Sequence, residues 1–481
     1  MCAAKSGKGA DLDVAVVGGG WAGCAAAVEL ADKGARVTVF EAARTLGGRA
    51  RGVELQGKML DNGQHILLGA YDQTLKLVKR VGVDPAAALL RLPLQMRYPA
   101  GAGGMDFVAP RLPAPWHMVV ALWRAKGLER EDKMALARFT TSARWMGWRL
   151  NDDVPVSVLL ARFDQTPRLI RLMWQPLCLA ALNTPLERAS SNVFLAVLRD
   201  SLGAHRAASD MLIPRLELGA LFPQAAARHI ERRGGAVHAG AKVGAIARTA
   251  AGWEVKANGQ ANGQASGGDW RRFDALVLAT PPAAAGALLT PLPEAAALAA
   301  QLAAFDYEPI STCYLQYDEA LRLPLPFCAL LEDPAARRFG QFVFDRGQLD
   351  PGQGGLLAVV ISAAGAAAAL DQDALASLVA SQLAQAFGQP SLATPRWSRV
   401  ITDKRATFAC LPGLSRPGNA SGLPGLVLAG DYTASDYPAT LESAVRSGQG
   451  AATAILAYGR LARENGSLSH GGGATPAGSV Q

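Results

Sequence analysis

Gly18, Gly20 and Gly23 follow the apolar run DVAVV (13–17) in G-x-G-x-x-G spacing, and Glu41 closes the next apolar run, ARVTVF. The first glycine lets the chain turn sharply off a strand. The second lets backbone approach a pyrophosphate, and the third lets helix and strand pack closely. Ala22, in the same first turn, is grouped with these glycines as a cofactor contact, and a helix opening there turns its partly positive N-terminus toward phosphate. A carboxylate at Glu41, with Ala42 beside it, accepts both ribose hydroxyls of an adenosine and repels a 2′-phosphate. NADP is therefore disfavoured, while NAD and FAD both remain. Arg44-Thr-Leu-Gly47-Gly48-Arg49 then places a second glycine pair and two arginines behind the acid. A second phosphate-approach loop is superfluous for NAD and suits the longer FAD.

These residues need a βαβ unit to position them. DVAVV predicts a strand, 21–33 a helix of small and apolar residues ended by Gly34, and ARVTVF a second strand. From about 112 to 202 the pattern is helical, with Trp, Met and Arg prominent. From Met211 it changes: a helix over 218–233, then strands in AVHAG, KVGAI, WEVKA and WRRFDALVLAT. Further strands are predicted in ISTCYLQY, RFGQFVF and GLLAVVIS, a helix over 371–387, a strand in GLVLAGD and a last helix from about Pro438. The expected fold class is α/β with an α+β second domain. Segments 11–110, 205–290 and 395–462 would make one discontinuous nucleotide-binding domain, and 111–204 with 291–394 an inserted substrate-binding domain. Tails at 1–10 and 465–481 are expected to be disordered, and NGQANGQASGGD (258–269) to be a long hairpin loop.

Half of the 481 residues are hydrophobic, enough for a sizeable core, and the net charge is +8. The six cysteines are dispersed with no C-x-x-C pair, which excludes a disulfide framework and a zinc site by spacing and points to a reducing, cytoplasmic compartment. No metal site is expected. No secretory h-region and no run long enough to cross a bilayer is present.

The fingerprint followed by R-x-x-G-G-R resembles the FAD-dependent amine oxidase and phytoene desaturase superfamily. "LAGDYTASDYPATLESAVRSGQGAA" (428–452) is similar to that superfamily's closing motif. The resemblance implies that Gly430 and Asp431 contact the ribityl and pyrophosphate region and that the helix entered through Thr440 and Leu441 points at the flavin ring. It also implies that Val243 grips the adenine through backbone groups. Within the superfamily, 60–83, "DKRATFACLP" (403–412) and "PATLESAVRSG" resemble the squalene-associated flavoproteins of bacterial hopanoid pathways. That narrower likeness implies a reduction in which hydroxysqualene loses its hydroxyl and reduced FAD supplies hydride from N5, with a separate electron donor for the flavin.

The same likeness runs the segment Asp61, Gln64 and His65 beside the isoalloxazine. His65 is expected to donate the proton to the leaving water, since imidazole titrates near neutrality; Asp61 would orient it or act itself, and Gln64 would contact the cofactor. Tyr432 and Tyr437 are candidates to line the pocket, and Lys404 and Arg405 to approach the flavin. The stretch 116–150 gathers Trp116, Trp123, Trp145 and Trp148 with seven Lys/Arg against three acids, a composition suited to peripheral contact with a membrane surface. No recognition motif for nucleic acid accompanies it. Alternatives at this stage are an oxidative polyisoprenoid desaturase, an amine oxidase, or a non-catalytic lipid-escort protein, the last opposed by the intact set Glu41, Gly48, Arg49 and Asp431.

Overall fold

The computed structural model describes residues 12–201, 203, 205–261, 264–266 and 269–464. The expected tails and part of the 258–269 patch lie outside them. Two apolar strands, β1 (Asp13–Val17) and β2 (Arg36–Glu41), flank the helix α1 (Trp21–Asp32) as the spacing predicts. They lie in a five-stranded parallel sheet in the order Ala236–Ala239, β2, β1, Ala275–Leu278, Leu426–Leu428. Pieces from three distant parts of the chain thus share one sheet. β1 is central, so the loop after Val17 opens at the carboxyl ends of strands, where a doubly wound sheet leaves its ligand crevice.

α1 is almost wholly buried, and the C-terminal helix, Leu441–Glu464, packs across it. Small residues make this possible. A Cβ at Gly448 would stand 2.2 Å from the Ala22 carbonyl oxygen, and that backbone cannot give way cheaply. Gly448→Val is expected to destabilise by about 3 kcal/mol through overpacking, read as a lowered melting temperature; an unchanged melt would show that the helices are not in this contact.

A second, antiparallel sheet runs Phe327–Ala329, Phe342–Asp345, Leu356–Ile361, Tyr307–Gln316, Trp397–Phe408. Its strands alternate as a two-faced sheet must. Cys313, Leu315, Val343, Leu357 and Val359 face a core shared with Leu375, Val379 and Leu383 of the helix Gln372–Phe387. Tyr314, Phe342, Phe344, Leu356 and Ala358 face the other way, into the main core built with the helices of 116–201. The hairpin β3 (Gly52–Leu55) and β4 (Lys58–Asp61) turns on Gln56 and Gly57, both at positive φ, as a two-residue hairpin turn demands. It ends on Asp61. The single helix expected over 218–233 is two, Leu218–Leu221 and Pro223–Arg232, because Pro223 has no N–H to continue the first and opens the second instead.

Candidate active site

Gly18 leaves β1 at φ +109°, where a Cβ would lie 2.4 Å from the Ala279 carbonyl oxygen; at Gly23 a Cβ would lie 1.9 Å from that of Gly18. Gly20 is the N-cap of α1. Glu41, buried at the end of β2, accepts the Gly19 N–H at Oε2 and the Ala43 N–H at Oε1, both at 2.7 Å. Its carboxylate is therefore fixed over the glycine loop. Ala42 and Arg44 are exposed just beyond it. The segment after β2 returns so that Gly47 donates to the Gly19 carbonyl at 2.9 Å, and a Cβ at Gly48 would meet Gly20 Cα at 3.3 Å. The two glycine loops touch.

Arg49 closes this cradle. Its Nη2 donates to both oxygens of Asp431 at 2.6 and 2.7 Å, and its Nη1 to the Ala406 carbonyl at 2.7 Å. Asp431 follows Gly430, whose N–H is taken by Ser447 Oγ at 3.0 Å. Thr440 caps the C-terminal helix reciprocally with Ser443: each side-chain oxygen accepts the other's backbone N–H. Leu441 is the first helical residue. At the other end, Gly240 and Ala241 donate to the carbonyls of Ala43 and Glu41, which brings the strand Lys242–Thr249 alongside the acid. Val243 stands at a bulge in that strand, where register shifts before Ala245. The structure thus gathers the Gly18–Gly23 loop, Glu41, Gly48, Arg49 and Asp431 around one cradle, leaves Ala42 and Arg44 exposed beside it, and ties the Gln64 side chain to Arg346.

These residues suit FAD. Beside the cradle the buried hydroxyls of Thr280 and Tyr432 find no partner among the described residues. A Cβ at Gly20 would meet only Gly48 Cα, at 3.8 Å, leaving the backbone approach open. Unspent hydroxyls, open glycine backbone and a fixed carboxylate are what a buried ribose and pyrophosphate require.

His65 lies within electrostatic reach of Arg49, whereas Asp61 sits among Leu218, Tyr314 and Arg346. Asp61 Oδ1 accepts the Leu218 N–H at 2.7 Å, its carbonyl accepts the Tyr314 hydroxyl at 2.7 Å, and Oδ2 is buried without a partner among the described residues. Burial pushes its carboxyl up to about 7, against the Leu218 N–H and the Arg346 cation and with the help of Glu217. His65 Nδ1 sits 2.6 Å from the Gly63 carbonyl oxygen. Only a protonated nitrogen bonds a carbonyl, so Nδ1 carries the hydrogen and Nε2 the lone pair. Burial, more than the nearby Arg49 cation, holds the imidazole below its ordinary pKa. With Nδ1–H engaged by Gly63, Nε2 is the ring nitrogen left to meet a substrate, and burial favours its neutral, accepting form. Asp61 is the group whose proton persists near neutrality.

Gln64 Oε1 accepts from Nη1 of the buried Arg346 at 3.0 Å, and Arg346 Nε donates to Gln353 Oε1 at 2.9 Å. Tyr437 donates to Asp200 at 2.6 Å, tying its loop to the helix Ser191–Ser201. Lys404 and Arg405 are exposed, with Arg405 over the Tyr307 ring. Sequence patterning carries no signal for three further residues. Arg416 donates to the carbonyls of Asp431, Tyr432, Ser435 and Tyr437, holding the loop that presents Asp431. Glu442 anchors the start of the C-terminal helix through Thr74 and Gln73. Arg346 supports Gln64. Each acts on partners far away in the chain.

A parallel sheet with this cradle at its carboxyl edge defines a flavin-dependent oxidoreductase. The chain belongs to the flavin-containing amine oxidoreductase family, whose model matches residues 21–456, and its cofactor is FAD. It is similar to the hydroxysqualene dehydroxylase of Rhodopseudomonas palustris, 30% identical over 93% of this chain and 99% of that protein. The hydroxysqualene dehydroxylase of Sinorhizobium fredii is 29% identical over 92% and 98%. A zeta-carotene desaturase of Synechocystis is more distant, at 25% over 93% and 97%. Among solved structures, a putative protoporphyrinogen oxidase from Exiguobacterium superposes with a TM-score of 0.65 at 17% identity, covering 93% of this chain and 99% of that one. Cyclohexylamine oxidase from Brevibacterium oxydans gives 0.64 at 20%, with the same coverage. These two show the shared fold.

Proposed function

We propose that the protein removes the hydroxyl of hydroxysqualene reductively, giving squalene for hopanoid biosynthesis. The observation that carries this reading is likeness to hydroxysqualene dehydroxylases along nearly the whole chain. When bound and reduced, FAD supplies the hydride that replaces the hydroxyl on the allylic carbon. The chain's own residues do the rest. Gly18, Gly20, Gly23, Glu41, Gly48 and Asp431 hold the cofactor, with Arg49 and Arg416 fixing Asp431. His65 Nε2, a lone-pair acceptor, takes the hydrogen bond of the substrate hydroxyl and orients it. Asp61 holds, at Oδ2, the proton that leaves with the oxygen as water. One hydride and one proton enter, one water departs, and the carbon is reduced. A separate electron donor restores the flavin, and the substrate places the enzyme at the surface of a membrane.

An anaerobic single turnover tests this. Chemically reduced holoenzyme mixed with hydroxysqualene is expected to reoxidise its flavin with one squalene formed per flavin. Flavin that stays reduced, while oxidised enzyme is bleached by squalene or an amine, would overturn the reading in favour of an oxidase.

A further inference from the structure

The helix Trp116–Arg124 is apolar on two opposite faces. Inward, His117 and Ala121 are buried, and Met118 and Leu122 pack on the main core. Outward, Trp116, Val119 and Trp123 are 60%, 51% and 75% exposed. Steps of three and four residues put all three on one stripe. The following helix, Arg130–Trp145, extends the patch with Met134 and with Trp145, which is 88% exposed, and Lys133 Nζ ties the two helices by donating to the Trp123 carbonyl at 2.9 Å. A single exposed apolar side chain needs no explanation, but an aligned set of indoles does.

The charge of this stretch says what covers the patch. Arg111, Arg124, Lys126, Arg130, Arg138, Arg144 and Arg149 are exposed along the same stretch of chain, while the exposed acids of the segment are Glu129 and Glu131, with Asp152 just beyond. Glu129 is already engaged by Arg168. Basic side chains interspersed with indoles match the headgroup layer of an anionic bilayer, where rings enter the acyl boundary and cations meet lipid phosphates. Among the described residues no helix is long and apolar enough to cross a membrane, so the contact is one of lying on the surface. We propose that the face of Trp116, Val119 and Trp123, extended by Met134 and Trp145, docks the protein on an anionic lipid bilayer. The inference rests on the proposed function for its purpose, since a hydrocarbon substrate dissolves in that bilayer.

Flotation of the full-length, FAD-loaded protein with phosphatidylcholine–phosphatidylglycerol vesicles tests it. Wild type is expected to float, and the double variant Trp116→Ser/Trp123→Ser to partition about a hundredfold less. Quenching of tryptophan fluorescence by brominated lipid should be lost with it. Both side chains point to solvent, so turnover of detergent-dispersed hydroxysqualene is expected to be unchanged. Wild type that fails to float, or a variant that floats equally, overturns the proposal. So does a wild-type dimer in sedimentation velocity that the double variant dissolves, which would assign the face to a second copy of the chain. Wild type that floats but makes no squalene from dispersed substrate would sink the proposed reaction and leave the docking surface standing.

Discussion

Asp431→Ala is expected to yield a folded protein that binds FAD at least about a hundredfold more weakly, a loss of about 2.7 kcal/mol. Asp431 takes both contacts from Arg49 Nη2, and among the described residues the guanidinium's other hydrogen bond runs from Nη1 to the Ala406 carbonyl. Without the carboxylate, the guanidinium loses its two-oxygen partner and its main counter-charge, and on the proposed placement the cofactor loses an acceptor next to Gly430. Charge-assisted hydrogen bonds are worth about 1.5–3 kcal/mol each, so one such contact to the cofactor accounts for the effect. Stability suffers less. The Arg49 side chain is 35% exposed, and solvent screening keeps the pair's own contribution to folding near 1 kcal/mol. Asp431→Asn, which retains an acceptor without the charge, should cost about tenfold in affinity. Fluorescence titration of apoprotein with FAD measures both, and wild-type affinity in the alanine variant would remove Asp431 from the cradle.

How much of this site the sequence discloses depends on whether the chemistry is local. The glycine loop, Glu41 and the Gly47-Gly48 pair are legible because each is read against its immediate neighbours: a strand before, a helix after, a turn that only glycine fits. The closing motif is legible only through its resemblance to the superfamily's; its own pattern shows a strand and then a helix, with no sign of what Asp431 does. Contacts that close across the fold are not legible. Tyr314 reaches the Asp61 carbonyl only because alternation along Tyr307–Gln316 turns it away from the Cys313 face, and Arg346 meets Gln64 only because Phe342–Asp345 pairs beside Leu356–Ile361. Nothing around Arg416 in the chain announces four carbonyls from 431–437. His65 shows the subtler limit. Its residue type suggests an acid, but the Gly63 carbonyl selects the tautomer and burial selects the neutral form.

Asp61→Asn is the second decisive substitution, because it separates a structural carboxyl from a catalytic one. The folded protein holds Asp61 up to about 7, whereas the unfolded chain releases that proton near pH 4. Between these values the native state binds more protons than the unfolded state, so wild-type stability falls as pH rises, by about 4 kcal/mol across the window. Asparagine imitates the protonated acid: its oxygen still accepts the Leu218 N–H, and its amide carries hydrogen where Oδ2 would. The variant is expected to match wild type in stability near pH 4 and to exceed it progressively toward pH 8, a crossover that denaturant titrations at several pH values would resolve. Turnover moves the opposite way. An amide cannot give up its proton to a leaving hydroxyl, so the rate is expected to drop about 10²–10⁴-fold, and the wild-type rate should decline above about pH 7 as the acid empties. A variant stabilised at high pH yet turning over at the wild-type rate would confine Asp61 to the fold and place the proton donor elsewhere.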